Sequence, residues 1–177
     1  MNMIDAARLL VAGRDRNIAF VFAGEGQARH ENALRQQARL GGIDTLCRVV
    51  GHCVDMPAAL AVADVVVVPA LEPPLTGHTI AEAQAMGRPV VTTAVGVLPE
   101  NMLCPPRMKD KLRTGWLVQP GKVGELARAV GAALALDVIS YEALGARARQ
   151  FAEFMFSPRS VAEAIRDVYT SLLARDT

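Results

Sequence analysis

DVVVVPALEPPLTGHTIAEAQAMGRPVVTT, residues 64–93, is the stretch that decides the fold. Asp64 to Val68 give the strongest strand signal in the chain, an unbroken β-branched run closed by Pro69. A proline-rich loop follows as far as Gly77. The spacing then predicts a helix over about 78–87 that ends at Gly87, and a second strand over 89–93. Strand, helix and strand at this spacing form a parallel unit with a right-handed crossover.

The same alternation extends outward on both sides. Residues 4–11 have a helical period, and 18–23 (IAFVFA) are a continuous apolar run that suits a strand buried on both faces. Gly24-Glu25-Gly26 breaks that run. A helix is expected over 27–40, stopped by Gly41-Gly42, then a strand over 46–50 stopped by Gly51. A short helix from about Met56 to Ala63 carries Pro57 near its first turn, where proline is tolerated. Beyond a last short strand at 116–118 the chain reads as helical over 122–136, 140–155 and 159–174, punctuated by Pro120-Gly121 and Ser157-Pro158. The expectation is an α/β fold. Residues 1–177 form one domain with a Rossmann-like parallel sheet, helices on both faces, and a helical part over about 122–177.

Composition narrows the function. Hydrophobic residues make up 51% and charged residues 21% of the 177, which supports a packed core and argues against disorder. Lys and Arg total 19 against 18 Asp and Glu, so no basic excess points to nucleic acid. Cys47, Cys53 and Cys104 are an odd, widely spaced set, which gives neither a disulfide framework nor a paired metal motif. The longest apolar run, near Val65 to Ala70, is far below the ~20 residues that span a bilayer. No signal peptide is read at the N-terminus. The expected setting is the cytoplasm, with no metal and no cofactor.

In an open parallel sheet, ligands bind outside the carboxyl ends of the strands. The loops there are 24–26, 51–55, 69–77 and 94–100. Gly24 and Gly26 would let a backbone approach phosphate, but Arg29 stands where a dinucleotide fingerprint needs its third glycine, and Asp44 precedes the next strand instead of ending it. A plain turn is the favoured reading there. Gly77 opens a helix whose free N–H groups suit an anion. Glu82, one turn in, either accepts two ribose hydroxyls or is a structural charge at the positive helix end. His78 is a general base, a phosphate donor, or simply a residue of the helix start, the last being favoured. Asp55 caps the helix from Met56, a role compatible with ligand contact. Glu100 ends the 94–100 loop after a glycine. The basic loop 105–113 reads as a solvated surface.

The succession of these motifs resembles the C-terminal, nucleotide-sugar-binding domain of GT-B glycosyltransferases, most closely the retaining family 4 (the glycosyl transferases group 1 domain). FVFAGEG is similar to that family's strand and G-x-G, and RVVGHCVDM to its V-x-F-x-G-x-V. ALAVADVVVVPA resembles its strand ending in Pro-Ser, and GHTIAEAQAMGRPVV its G-x4-EAmA-x-G-x-PVV. AVGVLPE is similar to the G-G-x-P-E loop, TGWLVQPG to tG-x-Lv-x-p-g, and FSPRSVAEAIRDVYTSLL to the closing helix. The resemblance covers nearly the whole chain. It implies transfer of a sugar, with retention, from a nucleoside-diphosphate sugar to an acceptor held by an N-terminal GT-B domain that this chain lacks. Any membrane contact would come only through that missing domain. It also implies roles. Glu82 binds the ribose as the second Glu of E-x7-E. Gly51 to Asp55 hold the base, with Cys53 at the contacting backbone position. The Thr76-Gly77-His78 backbone faces the diphosphate and sugar. Gly24 belongs to the G-x-G, and no catalytic residue is assigned.

The chain departs from the family at three places. Pro74 stands where the first Glu of E-x7-E belongs, and proline offers no side-chain hydrogen bond; Glu72, two residues earlier, is the candidate substitute, opposed by the proline pair that stiffens the loop. Thr76 replaces the usual Phe. Val97 replaces the second Gly of G-G-x-P-E. A nucleotide-binding module that has lost transfer is therefore a rival reading. An NAD(P)-linked Rossmann enzyme is another, opposed by the missing third glycine and misplaced acid. A response-regulator-like domain lacks the acid pair that should end its first strand.

The family's domain also opens with a strand and an Arg- and Lys-bearing loop before the helix that resembles 4–11, and those cations pair with the donor diphosphate. With that first, central strand of a 3-2-1-4-5-6 sheet apparently missing, strands 18–23 and 64–68 are expected to present open edges. They would pair directly, pair through a partner chain, or belong to a longer protein. The isolated chain is expected to lack transferase activity.

Overall fold

The computed structural model describes residues 2–12, 17–24 and 28–174. Helix α1 (Asn2–Ala12) leads to β1 (Phe20–Ala23), α2 (Ala28–Leu40), β2 (Cys47–Gly51), α3 (Met56–Val62), β3 (Val66–Val68), α4 (His78–Ala85), β4 (Val90–Thr93) and β5 (Gly115–Val118). Three helices finish the chain: α5 (Val123–Leu134), α6 (Val138–Phe156) and α7 (Pro158–Leu173). Boundaries shift by a residue or two from the sequence reading; β1 and β3 each begin two residues later, and β3 keeps only three residues. Asp137 and Ser157 cap α6 and α7 through side-chain oxygens that accept the N–H groups of Ser140 and Ser160.

Every strand pair is parallel, but the strands form two sheets. Phe20 faces Cys47 in the β1–β2 pair, Val66 faces Val90 in β3–β4, and Val90 faces Gly115 in β4–β5. The orders β2–β1 and β3–β4–β5 are the two flanks of the expected pattern. Direct pairing of the two open-edged strands, one of the expected outcomes, does not occur: among the described residues no ladder joins β1 to β3. One core nevertheless holds both sheets. Ile4, Ala7, Leu10 and Val11 of α1 pack with Phe20 of β1, Val91 of β4 and Leu126, Ala129 and Val130 of α5, with Val67 of β3 at the margin.

A second core lies on the other face. Leu60 of α3 and Ile80 and Ala83 of α4 meet Val90, Leu98 and Met102, with Val66 and Val68 alongside. The period-2 alternation of a strand explains the division: neighbouring valines of β3 and β4 serve opposite cores. Helices thus cover both faces of the three-stranded sheet. The expectation that 18–23 is buried on both faces is corrected. Phe20 is buried, but Val21 is 62% exposed. The second core gathers around β3 and β4, and none of its members comes from β1.

Candidate functional site

Within each sheet the strands run the same way, so their carboxyl ends share an edge, and the sequence-predicted residues fall at those ends. Gly24 ends β1 with φ +135°, and Gly51 ends β2 with φ +67°, both conformations that favour glycine. The Gly24 N–H donates to the Gly51 carbonyl at 2.8 Å, so the two turns are tied together. Glu25 and Gly26 lie outside the described residues. Cys53 is half-buried, its thiol donating to the Asp55 carbonyl at 3.3 Å. The Asp55 carboxylate accepts the Ala58 N–H at 3.0 Å, so it caps α3 as expected.

The loop after β3 carries the second group. Glu72 and Thr76 are exposed, as are His78 and Glu82 on the first turns of α4. Gly77 is the N-cap of α4 and is buried; no side chain caps this helix end, and the Ile80 N–H turns back to the Gly77 carbonyl at 3.0 Å, which leaves the His78 and Thr79 N–H groups for a ligand. His78 is a surface residue of the helix start.

This loop is held against the loop after β4. Thr92 and Thr93, both buried, donate their hydroxyls to the carbonyls of Val68 at 2.9 Å and Ala70 at 2.6 Å. Gly96, at φ +54°, leaves no room for a side chain: a Cβ there would lie 2.8 Å from that of Pro73. Gly77 packs against the Asn101 carboxamide. Sequence reasoning missed Thr93, Asn101 and Gln84 in this framework. Gln84 alone left a signal, a polar residue at the core-facing 80/83/84 spacing of α4. It is fully buried and donates to the Asn101 carbonyl at 2.5 Å.

The basic loop is less detached than its charge pattern implies. Arg107 donates to the Pro99 carbonyl at 3.3 Å, and Arg113 lies 4.9 Å over the Trp116 ring while pairing with Asp110. Burial pushes the thiols of Cys47 and Cys104 up, with Asp44 adding to the effect at Cys47. A raised thiol pKa disfavours the thiolate, the form that acts as a nucleophile. Among the described residues no group of three or more His, Cys, Asp or Glu could hold a metal ion.

The glycosyl transferases group 1 profile matches residues 2–136, which hold every strand and both groups of loops. The chain belongs to this glycosyltransferase family. A search by sequence against curated proteins gives no match. Solved structures agree on the fold. The chain is similar to HepE of Anabaena, solved in complex with UDP, at 22% identity and a TM-score of 0.79 over 96% of this chain and 44% of that one. It is similar to a glycosyltransferase of Rickettsia africae at 20% identity and a TM-score of 0.80, over 97% and 44%. The C-terminal domain of a glycosyl transferase group 1 family protein (LpcC) of Francisella tularensis gives 20% and 0.73, over 89% of this chain and 78% of that domain. The chain thus spans less than half the length of the first two. Its architecture is that of a GT-B C-terminal domain.

Proposed function

We propose that this chain is the donor-binding half of a retaining, family 4-like glycosyltransferase, which holds a nucleoside-diphosphate sugar while an N-terminal GT-B domain presents the acceptor. The observation that carries the proposal is the uncapped N-terminus of α4, fixed by two pinned loops on the shared carboxyl edge, with Glu82 one turn in. Free N–H groups at a helix start favour an anion, which suits the diphosphate. Glu82 takes the ribose hydroxyls, Gly51, Cys53 and Asp55 the base, and the Thr76–His78 backbone the diphosphate and sugar, with Gly24 at the neighbouring turn. Glu72 is the nearest carboxylate to the place of Pro74. The HepE complexes with UDP and UDP-glucose support this class of ligand.

In the reaction, the leaving diphosphate gains charge as the sugar takes on oxocarbenium character. Oriented N–H groups stabilise that charge without reorganising. No ladder joins β1 to β3 among the described residues, and a strand between them would bring further groups to the diphosphate. In this reading transfer also needs an acceptor domain and those further groups, and residues 1–177 tested alone are expected to bind without transferring. The setting proposed is the cytoplasm, and no cofactor is required beyond the donor.

The experiment is a calorimetric titration of the chain with UDP, GDP and NADH. Binding of one diphosphate and not of NADH is expected. NADH binding alone would replace this reading with the NAD(P)-linked one, and binding of none would reject it.

A further inference from the structure

Gly77 is not a glycine for the sake of its backbone. Its φ of −105° and ψ of 22° are open to other L-residues. It is a glycine for space, because a methyl group on its Cα would overlap the Asn101 carboxamide. One hydrogen bond holds that carboxamide in place. Its Nδ2 donates to the Val97 carbonyl at 2.7 Å, across the 3-10 turn Leu98–Asn101. The Asn101 main-chain carbonyl in turn accepts from Gln84, which is fully buried in α4. Gln84 stands seven residues beyond Gly77, about two helical turns. Asn101 therefore grips α4 at two points, with its side chain at the N-cap and its main chain near the far end. These two contacts act on the height of the helix and its rotation together with the packing of Ile80 and Ala83 in the second core.

We infer that Asn101 is a positioning residue, which sets where the first N–H groups of α4 stand relative to the loop of residues 94–101. The inference rests on the donor-binding reading and adds a residue to it. Asn101 acts through Gly77 and need not touch the ligand. Its effect should fall on the phosphate end of a bound nucleotide. The nucleoside end, held by Glu82 and the loop of residues 51–55, should be spared. A helix start displaced by even a fraction of an ångström weakens N–H contacts to a charged group, and one such contact is worth about tenfold in affinity or more.

The test is a cycle of Gly77→Ala, Asn101→Ala and the double variant. Each is titrated with whichever of UDP and GDP the wild-type chain binds, and with the matching nucleoside. Each single variant is expected to bind the diphosphate about tenfold more weakly and the nucleoside as wild type does. Gly77→Ala drives a methyl into the carboxamide, and Asn101→Ala leaves a void. In the double variant the new methyl takes the vacated space, and affinity should return to within about threefold of wild type. Should Gly77→Ala not fold, Asn101→Ala still reads the split between diphosphate and nucleoside. Singles that bind the diphosphate like wild type, or lose both ligands equally, would overturn the role while leaving the donor-binding reading in place. A double variant no better than its worse single would also overturn it. A wild-type chain that binds neither diphosphate removes both.

Discussion

The Thr93 hydroxyl donates to the Ala70 carbonyl at 2.6 Å, tying the loop that leaves β4 to the loop that leaves β3. Thr93 is 3% exposed, so this bond is made in a nearly dry setting. Thr93→Val keeps the side-chain shape and removes the donor. It should lower stability by about 0.5–1.5 kcal/mol, since the Ala70 carbonyl loses its partner. Denaturant unfolding of both proteins measures this. An unchanged midpoint would mean that water replaces the hydroxyl at no cost.

Glu82→Ala should weaken nucleoside-diphosphate binding by about 1.5–3 kcal/mol, the range for hydrogen bonds to a charged group. Glu82 is exposed on α4, so the thermal midpoint should stay within a degree or so of wild type. Calorimetry with UDP and GDP decides. Equal affinity for variant and wild type would leave Glu82 as only a favourable charge near a helix start.

Pro74→Glu restores the carboxylate that the family pattern places eight residues before Glu82. Pro74 is half-buried, between exposed Pro73 and Leu75. The variant should bind a nucleotide sugar more tightly than the bare nucleotide if the sugar subsite is retained. If the two ligands remain equal, the loop recognises its sugar in another way, and Glu72→Gln is the next substitution to make.

Asp137 gives the acid limb of stability a defined contribution. The Ser140 backbone N–H, at 2.8 Å, and the Ser140 hydroxyl, at 3.0 Å, hold its carboxyl below the usual carboxylate range. A folded-state value below the unfolded one means that the stabilisation is complete above the unfolded value, about 3.9, and is lost as pH falls through the folded value. Asp137→Asn keeps a capping oxygen but cannot titrate. Its thermal midpoint should fall less than that of wild type between about pH 5 and pH 2. Parallel curves would count against the cap as a source of pH dependence.

The open edge of β3 should be visible in hydrogen exchange. The Val66 N–H donates to the Pro89 carbonyl at 2.9 Å. Alternation along a parallel strand then turns the Val67 N–H toward the opposite edge, which has no ladder among the described residues. Val67 should exchange faster than Val66 by NMR in the isolated chain, and slow down in a longer protein that supplies a strand. Equal protection in the isolated chain would show that the edge is already covered.

Much of this was legible in the chain. The valines of β3, the glycines that end β1 and β2, and the Asp55 cap follow from local rules of strand period, turn conformation and helix ends. The site framework was less legible. Gly77 reads in sequence as the opening of a helix whose N–H groups suit an anion, and nothing local shows that Asn101, 24 residues on, occupies the space of a side chain there. The contact of Gly96 with Pro73 and the bond from Thr93 to Ala70 likewise join residues that share no local pattern.

The sequence by itself determined which segments become helix or strand, that the strands run parallel, and the family to which the chain belongs, because each follows from periodicity or from motifs in a fixed order. Only the tertiary structure decided that, among the described residues, no ladder joins β1 to β3 over their common core. Only it showed that Val21 faces solvent and that the Asn101 carboxamide lies against Gly77 while its carbonyl accepts from Gln84. Burial and close approach depend on what the rest of the chain brings to a residue, and a local pattern of side chains carries no record of that.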